Sequence, residues 1–567
     1  MSNITQLITD HLDIWTAADT EKKSGRGRAS GNANSVYGIK KLRELILELA
    51  VRGKLVPQDP SDEPASELLK RVKDEKAKLV ANGKIKKDKP QAAISENDKP
   101  FIAPNGWSWV RLSEVLLKIT DGTHRSPTNV STGDFKYISA KNIKPWGLDL
   151  SDITYVTKDV HDEIYSRCDP TLGDILYIKD GATTGIATIN TLEEPFSMLS
   201  SVALLKPSIG TDNHFLLKAM TAPFFYAEMR SEMTGVAITR VTLAKLNYAI
   251  IPLPPLAEQH RIVAKVDELM ALCDQLEAQH NNAADAHEQL VSHLLSTLTQ
   301  SQDAEDFNAN WQRIATHFDT LFTTESSIDA LKQTLLQLAV MGKLVPQDPK
   351  DEPASELLKR IQVEKVKLVA EGKIKKDKPQ AIISLDERPF ELRMGWDYVR
   401  LGDIIKISSG DGLTAAQMSE SGTIPVYGGN GVNGYHDKAN IYKRTLVIGR
   451  VGFYCGSIHI TPEHAWATDN AFITEFSEEN IYCDFLYWLL RITNLKENEN
   501  ATAQPVISGR KVYPIVVALP PLNEQHRIVV KINKLMTLCE QLKSRITNAR
   551  LSQQKIADVL IEMAVEQ

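Results

Sequence analysis

A chain of 567 residues is too long for a single hydrophobic core, so several domains are expected. Charged residues are 24% and hydrophobic residues 42%, ordinary for a soluble globular protein, and no apolar run is long enough to span a bilayer. The net charge of -6 disfavours non-specific polyanion binding by the whole surface but permits a local basic groove, while five cysteines without a CxxC pair argue against disulfides or a zinc site and fit a reducing cytoplasm.

Met1 to Trp15 carries Asp10 and Asp13 and no basic leader, so no signal peptide is expected. Ser24 to Asn34 is rich in Gly, Ser and Arg and reads as a surface segment. From Ile39 a helix places Leu42, Leu45, Ile46 and Leu49 on one face and ends at Gly53. A proline-bounded link follows, and Asp62-Glu63-Pro64 opens a second helix that Gly83 stops. The basic run Lys84 to Lys89 leads on to Trp107-Ser108-Trp109-Val110-Arg111-Leu112.

All of this returns 289 positions later. Gly53 to Pro60 becomes Gly342 to Pro349, and Trp107 to Leu112 becomes Trp396 to Leu401. A second repeat has a different offset: Leu253-Pro254-Pro255-Leu256-Ala257-Glu258-Gln259-His260-Arg261-Ile262-Val263 recurs from Leu519 to Val529, 266 positions on. Two near-identical frames therefore enclose two inserts that differ in sequence and in length by 23 residues. The period is far too long for a solenoid, so this is a duplicated domain pair.

Each Leu-Pro-Pro motif opens a long apolar-periodic helix, since the prolines suit a helix entry and the following Glu sits in its first turn. Ile262, Val266, Leu269, Cys273 and Leu276 form the seam of the first helix, and Ile528, Ile532, Leu535, Cys539, Leu542 and Ile546 that of the second. Their alternation of four and three is that of a coiled coil, and these positions are expected to form the helix packing and subunit interface. The inserts carry short β-rich runs, Phe135 to Ile138, Ile153 to Val156, Ile175 to Ile178 and Val202 to Leu205 in the first, with a helix at about 213–230. The second has Ile424 to Tyr427, Thr445 to Ile448 and Ala471 to Thr474, with a helix near Asp484 to Ile492.

Chemical motifs are scarce. There is no GxxxxGK[ST] phosphate loop, no H-E-x-x-H and no Asn-Pro-Pro-aromatic, and Gly428-Gly429-Asn430-Gly431 lacks dinucleotide-binding spacing. His260 and His526 recur in one context and read either as bases or, preferably, as first-turn residues contacting neighbours. Cys273 and Cys539 lie on the apolar seam, where packing outweighs reactivity. The runs Lys84 to Lys89 and Lys373 to Lys378 read equally as phosphate contacts or solvated linkers. That leaves the glycine-bearing loops, whose polar side chains suit base edges and phosphates. The DNA-binding candidates are Thr123, His124, Arg125, Lys141 and Asn142 in the first insert and Asn430, Tyr435, Arg450 and Arg510 in the second.

Two variable inserts, each followed by Leu-Pro-Pro-Leu-x-Glu-Gln-x-Arg-Ile-Val and a long helix, resemble the specificity subunit of a Type I restriction-modification enzyme. The duplicated Gly-Lys-Leu-Val-Pro-Gln-Asp-Pro stretch, Asp121-Gly122-Thr123-His124 and Tyr427-Gly428-Gly429-Asn430-Gly431 carry the same likeness. The resemblance implies an α+β fold in which two globular target-recognition domains are separated by two long antiparallel coiled-coil helices in a pseudo-two-fold circular arrangement. The expected divisions are a helical frame at 1–106, target-recognition domains at 107–252 and 396–518, long helices at 253–326 and 519–567, and the second frame at 327–395. It also implies a non-catalytic subunit whose two domains each read half of a split double-stranded DNA target. The helices would dock two adenine-N6 methyltransferase subunits, and two ATP-dependent restriction subunits would join. S-adenosylmethionine, ATP and magnesium would belong to those partners, with no cofactor or metal in this chain and no membrane contact. The alternative is a stand-alone DNA-binding regulator whose coiled coil only dimerises. If the copies pack alike, the first frame must meet the C-terminal helix and close the ring.

Overall fold

The computed structural model describes residues 4–17, 36–87, 90–231, 233, 240–372, 381–419, 421–452, 454–493, 495 and 506–566. The chain forms two compact units, Met1–Ala283 with Ala549–Gln567, and Ala284–Asn548.

In the first unit the frame helix Tyr37–Val51 buries Ile39, Leu42, Leu45, Ile46 and Leu49, the face its periodicity predicts. Gly53 ends it at φ 67°, a left-handed position that a side chain would strain. The second frame helix spans Ala65–Ala81. In the second unit the equivalents are Glu325–Val340 and Ala354–Ala370. The stretches that carry no strong sequence pattern also form helices. Ile8 and Trp15 of the N-terminal helices Ile4–Asp10 and Leu12–Ala17 are buried in the first core. Ile314 and Leu321, from helices Ala304–Thr316 and Phe318–Leu321, are buried in the second.

Each insert begins and ends in a two-stranded antiparallel ribbon. Ser108–Arg111 pairs with Ile250–Leu253, and Asp397–Arg400 pairs with Val516–Leu519. The duplicated Trp-containing motif is thus the entry strand, and the residues before the double proline are the exit strand. Both ends of an insert are tied to the frame at one place.

Inside, the two inserts share one sheet plan despite their unlike sequences. In the first, an antiparallel sheet runs in the order Leu116–Asp121, Val202–Pro207, Ile175–Ile178, Ala187–Ile189. In the second the order is Ile405–Ser409, Ala471–Phe476, Leu446–Gly449, Ile458–Ile460. A smaller sheet accompanies each. Phe135–Ile138 lies between antiparallel Thr154–Val156 and parallel Ser197–Met198, while Ile424–Gly428 lies between antiparallel Gly431–His436 and parallel Trp466–Ala467. The helix expected at about 213–230 is two helices, Asn213–Thr221 and Pro223–Ser231, because Pro223 has no N–H to continue the first. The first insert also has a helix, Lys158–Tyr165, that the hydrophobic pattern did not announce.

The two long helices are Leu256–Gln300 and Leu522–Glu566, each of 45 residues. At 1.5 Å per residue each is about 68 Å long. The first helix buries Ile262, Val266, Leu269 and Cys273 in the core of the first unit. Its last turns bury Val291, Leu295 and Leu298 in the core of the second. The second helix does the reverse: Ile528, Ile532 and Cys539 are buried in the second unit and Ala557 in the first. The seam is not uniform, since Leu276, Leu535 and Leu542 are only partly buried and Met536 is buried where Leu535 was expected. The first frame does meet the C-terminal helix. Within the first unit Lys54 Nζ donates to Val565 O at 2.6 Å, and within the second Lys343 Nζ donates to Thr299 O at 2.8 Å. These contacts are equivalent by both repeat offsets.

Candidate nucleic-acid interface

The Leu-Pro-Pro-Leu-x-Glu-Gln-x-Arg motif is a fastening between insert, frame and helix. Trp107 Nε1 donates to Glu258 Oε2 at 2.9 Å, and Trp396 Nε1 donates to Glu524 Oε2 at 3.0 Å. Burial pushes both carboxyls up from their ordinary pKa, against the opposing effect of the indole donor. Gln259 accepts from the backbone N–H of Asp212 at 2.9 Å and donates to Pro254 O at 3.0 Å, so it ties an insert helix to the helix entry. Gln525 does the same with Tyr482 and Pro520. Arg261 forms a two-pronged pair with Asp62, and Arg527 with Asp351. His260 lies 3.4 Å from Asp212, and His526 stacks on Tyr482 with ring centroids 4.0 Å apart. Both histidines sit in the first turns of the long helices and contact the residue that precedes an insert helix. Burial of Cys273 pushes its thiol up to about 11, which fits a packing role.

In the first insert several loops converge where the two sheets meet. Thr123 N–H donates to Met198 O, Leu199 N–H to Ile138 O, and Lys179 N–H to Ser201 O, each at 2.9 Å. Gly122 is needed here because a Cβ would stand 1.9 Å from Met198 O. Arg125 is exposed, and among the described residues its side chain makes no hydrogen bond or ion pair. His124 is exposed and lies 3.3 Å from the buried carboxylate of Asp121. Lys141 pairs with Asp152 at 2.8 Å on the surface. Asn142 differs from the other candidates: it is 1% exposed, its Oδ1 accepts from Ser139 N–H at 3.1 Å and its Nδ2 donates to Asp149 O at 3.0 Å. Its amide shapes the loop instead of facing outward. Sequence reasoning missed Arg167 and Lys179, which share Asp121 with His124.

The second insert repeats the convergence with other residues. Asp411 N–H donates to Ala467 O at 3.0 Å, Thr468 N–H to Tyr427 O at 2.9 Å, and Arg450 N–H to Asn470 O at 2.9 Å. Gly410 stands where Gly122 does, with a Cβ site 2.2 Å from Ala467 O. Asn430 is exposed at a hairpin tip between strands Ile424–Gly428 and Gly431–His436, so the glycine cluster is a β-turn. Tyr435 is half exposed on the second of these strands. Arg510 is exposed on the short helix Gly509–Val512. Arg450 is partly enclosed, since its Nη1 donates to Ser409 Oγ at 3.2 Å and its guanidinium lies 5.3 Å from the Phe472 ring centroid. Lys84 to Lys87 are described, whereas Lys373 to Lys378 lie outside the described residues. Among the described residues no helix is long and apolar enough to cross a membrane, and no group of three or more His, Cys, Asp or Glu is placed to hold a metal.

The family model "Type I restriction modification DNA specificity domain" matches residues 104–285 and 394–549, the two inserts with more than half of each long helix that follows them. The chain is 39% identical to the EcoEI specificity subunit of Escherichia coli, over 99% of this chain and 100% of that one. It is equally 39% identical to the EcoAI specificity subunit of Escherichia coli, again over 99% of this chain and 100% of that one. In structure it is similar to a chain solved in work on complex assembly of the type I R-M system, with a TM-score of 0.50, 18% identity, and coverage of 82% of this chain and 99% of that one. The chain belongs to the family of Type I restriction-modification specificity subunits, and is a DNA-recognition component, not a catalytic one.

Proposed function

We propose that each insert reads one half of a bipartite double-stranded DNA target. The long helices dock two methyltransferase subunits that methylate adenine N6, and two ATP-dependent restriction subunits complete the assembly in the cytoplasm. S-adenosylmethionine, ATP and magnesium serve those partners. Thr123, His124, Arg125, Lys141, Asn430, Tyr435, Arg450 and Arg510 are the proposed DNA contacts, with Asn142 holding its loop in shape. The observation that carries this reading is the shared sheet plan of two inserts whose loop residues differ. One scaffold with two sets of loop side chains suits two different half-targets, because sequence is read by side chains that reach base edges.

The test is an exchange of residues 113–252 for the insert of another specificity subunit, with methylation mapped on a randomised duplex library in the complex with methyltransferase. One half of the recognised sequence should change and the other should stay. A change in both halves, or in neither, would sink the modular reading.

A further inference from the structure

We propose that Arg167 is a base-reading residue of the first insert, held in place by the buried carboxylate of Asp121. This rests on the reading above, that the insert loops contact DNA. Asp121 is the last residue of the first strand of the four-stranded sheet and is 1% exposed. Arg167 Nη2 donates to its Oδ1, Lys179 Nζ lies 3.5 Å from its Oδ2, and His124 Nε2 lies 3.3 Å from Oδ1. The carboxylate is therefore committed inside the protein. The arginine is not: its side chain is 50% exposed, and besides Asp121 the same Nη2 lies 3.1 Å from Nε2 of the exposed His124, while among the described residues its other nitrogens make no hydrogen bond.

A structural arginine in this same protein looks different. Arg400 is buried and spends three nitrogens on Ala381 O, Pro514 O and the Glu387 carboxylate. Arg167 is fixed through one nitrogen, and the rest of its planar fork is left to a ligand. Such a fork has lost part of its freedom before it binds and matches the O6 and N7 acceptors of guanine in the major groove.

The second insert reaches the same arrangement by another route. Ser409 ends the corresponding first strand, and it also holds an arginine, accepting from Arg450 Nη1 at 3.2 Å. Arg450 occupies the strand-end position that Lys179 holds in the first insert. Lys179 N–H donates to Ser201 O at 2.9 Å and its carbonyl accepts from Val241 at 2.8 Å, while Arg450 N–H donates to Asn470 O and its carbonyl accepts from Ile507, both at 2.9 Å. Different elements supply the arginine, the turn after helix Lys158–Tyr165 in the first insert and the end of strand Leu446–Gly449 in the second, but the residue that tethers it is equivalent. Two inserts of unlike sequence thus present a tethered arginine from the same end of the same sheet.

The test uses the full chain in complex with methyltransferase and a randomised duplex library, with bound sequences read by selection. Arg167→Ala should relax one position in one half-target, lowering discrimination there on the order of ten- to a hundredfold, and leave the other half as strict as before. Arg167→Lys keeps the charge but not the fork, so it should relax the same position while overall affinity is retained. Equal weakening on every sequence, with no position relaxed, would make Arg167 a phosphate contact and overturn the proposal. Unchanged selection by both variants would also overturn it. A wild-type complex that selects no two-part sequence would overturn the underlying function as well, and the wild-type sample alone separates that failure from the other two.

Discussion

Glu258 and Glu524 are acidic residues at odds with their surroundings. Each is 1% exposed, each has one oxygen on a tryptophan indole, and in each Oε1 is buried without a hydrogen-bond partner among the described residues. Burial disfavours the charged form, so both carboxyls titrate above the ordinary value of 4.5. A folded-state pKa raised above the unfolded one means that the folded protein holds the proton more tightly. The resulting stability is complete below the unfolded pKa and is lost as pH rises through the folded pKa. Glu258→Gln keeps an acceptor for Trp107 and removes the titration. The melting temperature of Glu258→Gln relative to wild type should therefore climb as pH is raised from 4.5 towards neutrality. A difference between the two proteins that stays flat across that range would show that Glu258 does not titrate differently on folding.

At the scale of elements, the seam of the long helices separates positions that looked alike. Leu269 and Leu535 follow the same motif at the same spacing, yet Leu269 is 1% exposed and Leu535 is only partly buried. A carboxylate at Leu269 would be buried without a partner, costing about 3–5 kcal/mol. At Leu535 it could reach water, and the cost should be about 1–2 kcal/mol. Chemical denaturation of Leu269→Asp and Leu535→Asp checks this, and equal losses would contradict the packing described. Leu269→Asp should also impair assembly with methyltransferase.

The seam illustrates which parts of the fold the sequence reveals. Period and spacing identify the apolar stripe of a helix, but what covers each residue depends on elements far away in the chain. The strands Phe135–Ile138 and Ile175–Ile178 were readable because short β-branched and aromatic runs between turns have few other uses. The helix Lys158–Tyr165 was not, since it has few apolar residues and buries only His161 and Ile164. Arg167 follows that helix, and its anchor Asp121 lies 46 positions earlier, so no local pattern could link them. Asn142 failed in the opposite sense. A short polar residue in a loop looks the same in sequence whether its amide faces solvent or, as here, closes a turn on Ser139 and Asp149. The frames were legible for a different reason: the chain writes them twice.

For the whole molecule, the duplication makes each unit accept the tail of a helix that starts in the other. Ala557, Ile561 and Ala564 pack in the first unit, and Val291, Leu295 and Leu298, each 266 positions earlier, pack in the second. A half-length chain of residues 1–326 has one frame, one insert and one long helix, so its frame can be satisfied only by the helix tail of a second copy. It should therefore dimerise, and with methyltransferase it should recognise an inverted repeat of one half-target. The exchange is imperfect. Tyr37 OH donates to Asp558 Oδ1 at 2.8 Å, and Lys41 lies 3.7 Å from the same carboxylate, but the position equivalent to Asp558 is Ser292. Val291 must also enter the seat of Ala557, which is fully buried. Overpacking of this kind costs about 1–3 kcal/mol and the lost hydrogen bond about 1 kcal/mol. The half-chain dimer should thus be weak, and Ser292→Asp together with Val291→Ala should tighten it by about tenfold or more, since 1.4 kcal/mol is a factor of ten. Sedimentation of the two half-chains over a range of concentrations measures this. A half-chain that stays monomeric in both forms, or a double variant that dimerises no better, would show that the two frames do not accept each other's helices.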